Sequence, residues 1–313
     1  MHKKALITAD IHPYLREQLE ASGFSVDVIP EIDRTHLLEI IPAYSILIIT
    51  TYTQVDMEVV DKATQLQLIG RVGSGMENVD VAYCTAKNII CVNSPEGNGN
   101  AVGEHCLAML LSLLNNIPQA NQELKQQIFR REENRGKELD GMTVGIIGYG
   151  HTGKAFARKL RGFEVEILVF DPYVTVVDSW VKQVSLTDIQ QRAEVISFHV
   201  PYNRETHHYA GTAFLEQCRM TPVIINTSRG AVADTVALTE MLEQGKIAGV
   251  CIDVFEDEPL TKNKVHVPEV YQRLLAHPRV VATPHIAGWT VESKYKLVKI
   301  LMDKISVHLS GIV

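Results

Sequence analysis

The chain has 313 residues, 46% hydrophobic and 21% charged, with a formal net charge of −7 at pH 7. That length allows two ordinary domains with buried cores, and the acidic balance argues against non-specific nucleic-acid binding, which needs a basic surface. No run of 18 apolar residues suggests a membrane span, the apolar stretch after the two N-terminal lysines is too short for a signal peptide, and five scattered cysteines (Cys84, Cys91, Cys106, Cys218, Cys251) without a CxxC read as reduced thiols of a cytoplasmic protein.

Along the chain one unit recurs. KALITA (4–9) is a short apolar run, PYLREQLEASG (13–23) has a helical period and a terminal glycine, and FSVDVI, SILIIT and LQLIG follow at helical-length intervals. This βαβαβ alternation predicts a parallel sheet covered on both faces. IICVN (89–93) leads into the loop SPEGNGN, and AVGEHCLAMLLSLLNN (101–116) reads as a long apolar helix stopped near Pro118. After the charged stretch 129–141 a second βαβ series begins, with strands expected at 143–148, 166–170, 195–200, 223–227, 248–255 and 279–285. The segment 289–313 reads as an amphipathic helix. The first half, about one hundred residues, is small for a domain, so this helix is expected to pack back onto it.

Two glycine loops stand out. In GIIGYGHTGKAFARKL (145–160), Gly148, Gly150 and Gly153 give G-x-G-x-x-G between a β-branched strand and a helix. The glycines allow the tight turn and the close approach of a pyrophosphate, which the helix N-terminus receives. Asp171 ends the next strand, 18 residues after Gly153, where a carboxylate accepts hydrogen bonds from ribose hydroxyls and repels a 2′-phosphate. NAD is therefore the expected cofactor. The other loop, VGSGMENVD (72–80), has Asn78 where a third glycine would stand. Gly73, Ser74 and Gly75 could offer N–H groups to a substrate carboxylate, or form only a tight turn.

In a doubly wound sheet ligands bind beyond the carboxyl ends of the strands. Three late strands end in reactive residues: Arg229 in VIINTSRG, Asp253 and then Glu258 in CIDVFEDEP, and His285 in VVATPH. Each alone has an ordinary structural reading. Together, beside a nicotinamide site, they describe a reaction. His285 suits the proton transfer that accompanies hydride transfer, Glu258 is the carboxylate that orients it, and Arg229 is the fork for a substrate carboxylate.

RVGSGMENVD, GIIGYGHTGKAF, HVPYNRET, NTSRG, DVFEDEP and TPHIAGW, in this order over nearly the whole chain, resemble the D-isomer-specific 2-hydroxyacid dehydrogenases. The resemblance implies an α/β fold of two doubly wound parallel-sheet domains. A Rossmann NAD-binding domain (100–285) is inserted into a flavodoxin-like substrate domain (1–99 plus 286–313). It implies that Arg229 binds the substrate carboxylate and carbonyl oxygen, that His285 is the acid/base and Glu258 its partner. It implies further that Asp253 holds the nicotinamide amide with backbone help from His285 to Gly288. Ser74, His151, Thr152, Val200 and Thr227 match cofactor-lining positions, and Asn98 joins Gly73, Ser74 and Gly75 on the substrate side. Closure of the small domain over the cleft is expected to hinge near 98–101 and 284–289. A homodimer through the NAD-binding domain and the helix and arm at 101–140 is implied. Within the family the pattern points to oxidation of a phosphorylated D-2-hydroxy acid for serine synthesis, with Arg131 in the arm as a phosphate contact from the neighbouring subunit. The end at 313 predicts a form without the regulatory C-terminal domain of longer members. Thr50 stands where such enzymes usually carry a phosphate-facing arginine, so a glyoxylate/hydroxypyruvate reductase or a D-lactate-type enzyme is the alternative.

Other classes fit less well. No HExxH is present, and the adjacent pair His207–His208 is not spaced for one helical face, so no metal is expected. A methyltransferase would not need Arg, Glu and His at three later strand ends. A non-catalytic NAD-responsive binding protein is the more serious rival, since the family resembles some transcriptional corepressors. The expected partner is a small 2-hydroxy or 2-oxo acid, with no nucleic acid and no membrane.

Overall fold

The computed structural model describes residues 3–176, 178–256, 268–309 and 312. In chain order its elements are β1 (Lys4–Ile7), α1 (Tyr14–Ala21), β2 (Ser25–Val28), α2 (Arg34–Ile40), β3 (Ile46–Ile49), α3 (Met57–Lys62), β4 (Leu68–Arg71), α4 (Val81–Ala86), β5 (Ile90–Asn93), α5 (Gly99–Leu114), α6 (Ile117–Lys125) and β6 (Thr143–Ile147). There follow α7 (His151–Leu160), β7 (Glu166–Phe170), β8 (Lys182–Gln183), α8 (Leu186–Arg192), β9 (Val195–Phe198), α9 (Thr212–Leu215), β10 (Val223–Asn226), α10 (Thr235–Glu243), β11 (Gly249–Ile252), α11 (Glu269–Ala276), β12 (Val280–Ala282) and α12 (Val291–Ser306). The chain divides into two compact units, Met1–Asn98 with Trp289–Val313, and Gly99–Gly288.

The first unit holds a five-stranded parallel sheet of order β2-β1-β3-β4-β5, the flavodoxin-like order with its switch point beside β1. Its strands alternate between two cores. Leu6, Leu47, Ile49 and Ile69 face one cluster. Ala5, Ile7, Ile46, Ile48 and Leu68 face the other, which α12 completes with Val298, Leu301, Met302 and Ile305. The C-terminal helix thus covers one face of the first sheet together with α1, which contributes Leu15 and Leu19. Thr290 starts it through a capping box with Ser293.

The second unit is a seven-stranded parallel sheet of order β12-β11-β10-β9-β6-β7-β8, the doubly wound order whose switch point lies between β6 and β9. Ile147, Ile196, Ile224, Val250 and Ile252 face one core. Val144, Ile146, Val195, Val223, Ile225 and Cys251 face the other, under α5 and α7. Burial on both faces explains why these strands read as unbroken β-branched runs. Pro118 corrects the sequence reading. It lies in the first turn of α6, where a proline costs no helical hydrogen bond, and α5 has already ended at Leu114. The turn between them is left-handed at Asn116 (φ 52°). The Arg279 guanidinium fastens it, donating to the Leu113 carbonyl at 3.2 Å and to Asn116 Oδ1 at 3.0 Å.

Candidate active site

The glycine loop lies between β6 and α7, at the switch point. Gly148 has φ 91°, and a Cβ there would sit 2.6 Å from the His199 carbonyl oxygen and 3.1 Å from Val200 Cγ1. At Gly153 a Cβ would lie 2.1 Å from the Gly148 carbonyl oxygen, so only glycine closes this turn. At Gly150 a Cβ would meet nothing within 4 Å. Gly150 caps α7 with no side-chain hydrogen bond, which leaves the first-turn N–H groups of His151 and Thr152 to a ligand. Asp171 follows β7. One carboxylate oxygen accepts from the Tyr149 N–H at 2.7 Å, the other from Tyr173 and Val174 N–H at 2.8 and 3.2 Å. The residues present therefore fit a dinucleotide, with an open amide cradle and a carboxylate braced against the same loop.

On the other side of the switch point β10, β11 and β12 are neighbours in register, Asn226 beside Ile252 and Ile252 beside Ala282. Arg229, Asp253 and His285 leave these three strands at one edge of the sheet. Asn226, 1% exposed, shapes the first exit. Its Oδ1 accepts from the Ser228 N–H and hydroxyl at 3.1 and 2.8 Å, and its Nδ2 donates to the Arg229 carbonyl at 2.9 Å. The Arg229 guanidinium donates to the Ser228 carbonyl at 2.7 Å, which orients the fork. Thr227 is buried with its hydroxyl 3.2 Å from the Cys106 thiol. Burial pushes that thiol up to about 12, so Cys106 is a neutral packing group and no nucleophile.

Asp253 is fully buried. Oδ1 accepts from the Thr283 hydroxyl at 2.5 Å and the Ile286 N–H at 2.8 Å, and Oδ2 from the Ala287 N–H at 2.8 Å. Its main-chain carbonyl accepts the His285 N–H at 2.7 Å. The Asp253 side chain thus organises the turn 283–287 itself. His285 sits in that turn with φ 56°, a left-handed conformation that is uncommon for residues with a side chain. Glu258 lies outside the described residues. Two side chains missed in the sequence meet this turn: Thr283 and, from α5, His105, whose Nε2 is 2.9 Å from the Thr283 hydroxyl.

In the first unit, Gly73, Ser74 and Gly75 follow β4. The Gly73 N–H donates to the Ser94 hydroxyl at 3.2 Å, the Ser74 hydroxyl to Asn98 Oδ1 at 3.0 Å, and Asn93 Nδ2 to the Ser74 carbonyl at 2.6 Å. Ahead of this loop lies Arg71, overlooked in the sequence and only 7% exposed. It donates to the Thr51 hydroxyl at 3.3 Å, and a Cβ on Gly73 would fall 2.0 Å from its Nη1. A cation therefore lies between the glycine loop and the segment that carries Thr50. Asn78, in place of the third glycine, donates to the carbonyls of Thr50 and Thr53 at 2.9 and 2.6 Å. Arg131 lies on the exposed arm after α6. Among the described residues no group of three or more His, Cys, Asp or Glu is placed to hold a metal, and no helix is long and apolar enough to cross a membrane.

Residues 107–287 match the model of the D-isomer specific 2-hydroxyacid dehydrogenase NAD binding domain. The chain is 32% identical to the D-3-phosphoglycerate dehydrogenase of Archaeoglobus fulgidus over 99% of its own length, and spans 58% of that relative. It is 31% identical to the hydroxypyruvate reductase of Thermotoga maritima, over 94% of this chain and 92% of the other. The D-lactate dehydrogenase of Aquifex aeolicus, solved with NAD and lactic acid, superimposes with a TM-score of 0.85 at 27% identity, over 98% and 96% of the two chains. The chain belongs to the D-isomer specific 2-hydroxyacid dehydrogenase family, and residues 107–287 are its NAD-binding domain.

Proposed function

We propose that this protein is an NAD-dependent oxidoreductase that interconverts a D-2-hydroxy acid and its 2-oxo acid, and that the acid carries a phosphate, phosphoglycerate being the compound that fits. The observation that carries the reaction is the exit of Arg229 and His285 from the ends of the two parallel strands that flank β11, on either side of the braced Asp253, in the sheet that holds the dinucleotide loop. Bound NAD accepts or supplies the hydride. The first-turn N–H groups of α7 at His151 and Thr152 receive the pyrophosphate, and Asp171 the adenosine ribose. Val200, Thr227 and Gly288 line the rest of the cofactor site. Arg229 holds the substrate carboxylate with its fork and polarises the reacting oxygen. His285 takes the hydroxyl proton in oxidation and returns it in reduction. Glu258 is its partner carboxylate in this reading. Asp253 keeps the turn in shape.

The substrate-side residues of the first unit are Gly73, Ser74, Gly75 and Asn98, with Arg71 as the cation. The phosphate reading rests on that buried guanidinium beside the glycine loop, which supplies charge where Thr50 has none. An unphosphorylated acid, hydroxypyruvate or lactate-like, is the second reading, favoured by Thr50 itself. A non-catalytic NAD-responsive protein is the third.

A homodimer through α5, α6 and the arm to residue 140 is part of the proposal. Ile117, Leu124 and Phe129 are 53%, 58% and 83% exposed there, apolar surface that a second copy would cover, and Arg131 lies on that arm. NADH oxidation followed against phosphohydroxypyruvate, hydroxypyruvate, glyoxylate, pyruvate and 2-oxoglutarate tests the function. A preference for phosphohydroxypyruvate supports the phosphate reading, preference for a plain oxo acid overturns it, and tight NADH binding without turnover of any favours the non-catalytic reading.

A further inference from the structure

We infer that His105, on α5, is a positioning residue for the reaction, acting on His285 through Thr283 and Asp253. The inference rests on the reading of His285 as the acid/base. His285 holds a left-handed backbone conformation with a full side chain, which hydrogen bonding within the turn holds in place. The Asp253 carboxylate does so by accepting from Thr283, Ile286 and Ala287. Thr283 has a single hydroxyl proton. At 2.5 Å from Asp253 Oδ1, against 4.0 Å from the Met109 sulfur, that proton goes to the carboxylate. Toward His105, 2.9 Å away, the hydroxyl can then only accept, so His105 Nε2 carries a hydrogen.

The chain His105 Nε2–H to Thr283 hydroxyl to Asp253 carboxylate therefore has one polarity. Its effect is to fix the rotamer of Thr283 and the carboxylate that shapes the turn. The imidazole also stands 3.8 Å from Asp253 Oδ1 itself, so it faces this buried carboxylate from the helix side. A leucine at this position would leave the Thr283 hydroxyl held by Asp253 alone, and the turn would lose definition where a shift of about an ångström costs turnover on the order of a hundredfold.

The test uses His105→Leu, His105→Gln, Thr283→Val and the His105→Leu/Thr283→Val pair in the full chain, with the oxo acid that the wild type turns over best. Expected are a kcat lowered roughly tenfold or more in His105→Leu with KM and NADH Kd within about threefold, recovery of most of the loss in His105→Gln, and a double variant no worse than Thr283→Val alone. Hydrogen exchange of the peptide bearing Ile286 and Ala287, read by mass spectrometry, is expected to quicken in His105→Leu and to recover in His105→Gln. This readout needs no turnover, so it stands if the reading of His285 fails. Unchanged exchange in His105→Leu overturns the proposal, as does a glutamine variant as impaired as the leucine. Quickened exchange with unchanged kcat keeps the brace but removes its bearing on the reaction, which also overturns the proposal.

Discussion

The Asp171 carboxylate accepts the main-chain N–H of Tyr149, the residue between Gly148 and Gly150, at 2.7 Å. The acidic residue proposed to face the ribose also holds the glycine loop in place. Asp171→Ala is therefore expected to weaken both cofactors, NADH the more, by about ten- to a hundredfold for a lost charge-assisted hydrogen bond. Fluorescence titration with NADH and NADPH measures both. A variant that keeps its NADH affinity would show that the carboxylate does neither task.

His285 occupies a left-handed position that asparagine tolerates better than other residues. His285→Asn is expected to leave the melting temperature within ~2 °C and NADH binding nearly intact, while kcat falls by ~10²–10⁴ for a lost acid/base. His285→Val should unfold at lower temperature as well, because a β-branched residue resists positive φ. Near wild-type turnover in the asparagine variant rules out the proton-transfer role.

Arg71 separates the two substrate readings. Arg71→Gln should raise KM for phosphohydroxypyruvate at least ~10-fold, the worth of one charge-assisted contact, and move KM for pyruvate far less. Thr50→Arg should work in the opposite direction on the same pair. Equal effects on both acids would mean that Arg71 serves the loop and does not read a phosphate.

Burial brings the His199 ring, hydrogen-bonded to Ser197 at 2.8 Å, down to about 3. The unfolded ring titrates near pH 6.5. Between these values the unfolded chain binds the additional proton, so this contribution is complete above ~6.5 and is lost as the pH falls through the window. The loss is at most about 1.4 kcal/mol per pH unit. Thermal melts of the wild type and His199→Gln from pH 7 to pH 4 should show the steeper decline in the wild type. Parallel curves would place the acid sensitivity elsewhere.

Much of this was legible in the chain. Strands buried on both faces read as β-branched runs, and the glycine spacing with Asp171 located the switch point. What stayed hidden has a common physical cause. His105 reads as one polar residue in an apolar helix, and its partner Thr283 lies 178 positions away. Arg71 ends a strand, and only the fold shows that its guanidinium turns back beneath Gly73. Pro118 read as a stop because proline breaks a helix interior, but the same ring suits a helix start. The two-residue edge strand β8 is too short to carry any period.

Because α12 completes the core over β1, β3 and β4, the two units become foldable in an order opposite to that of their first residues. A ribosome making this chain begins the first sheet, then makes all of Gly99–Gly288 before it delivers Val298, Leu301 and Ile305. The nucleotide unit has its parts first and can fold as a unit. During that interval one face of the earlier sheet is covered only by α1, through Leu15 and Leu19, which makes the part of Ala5, Ile7, Ile46, Ile48 and Leu68 that awaits α12 the surface that a nascent-chain holdase would meet.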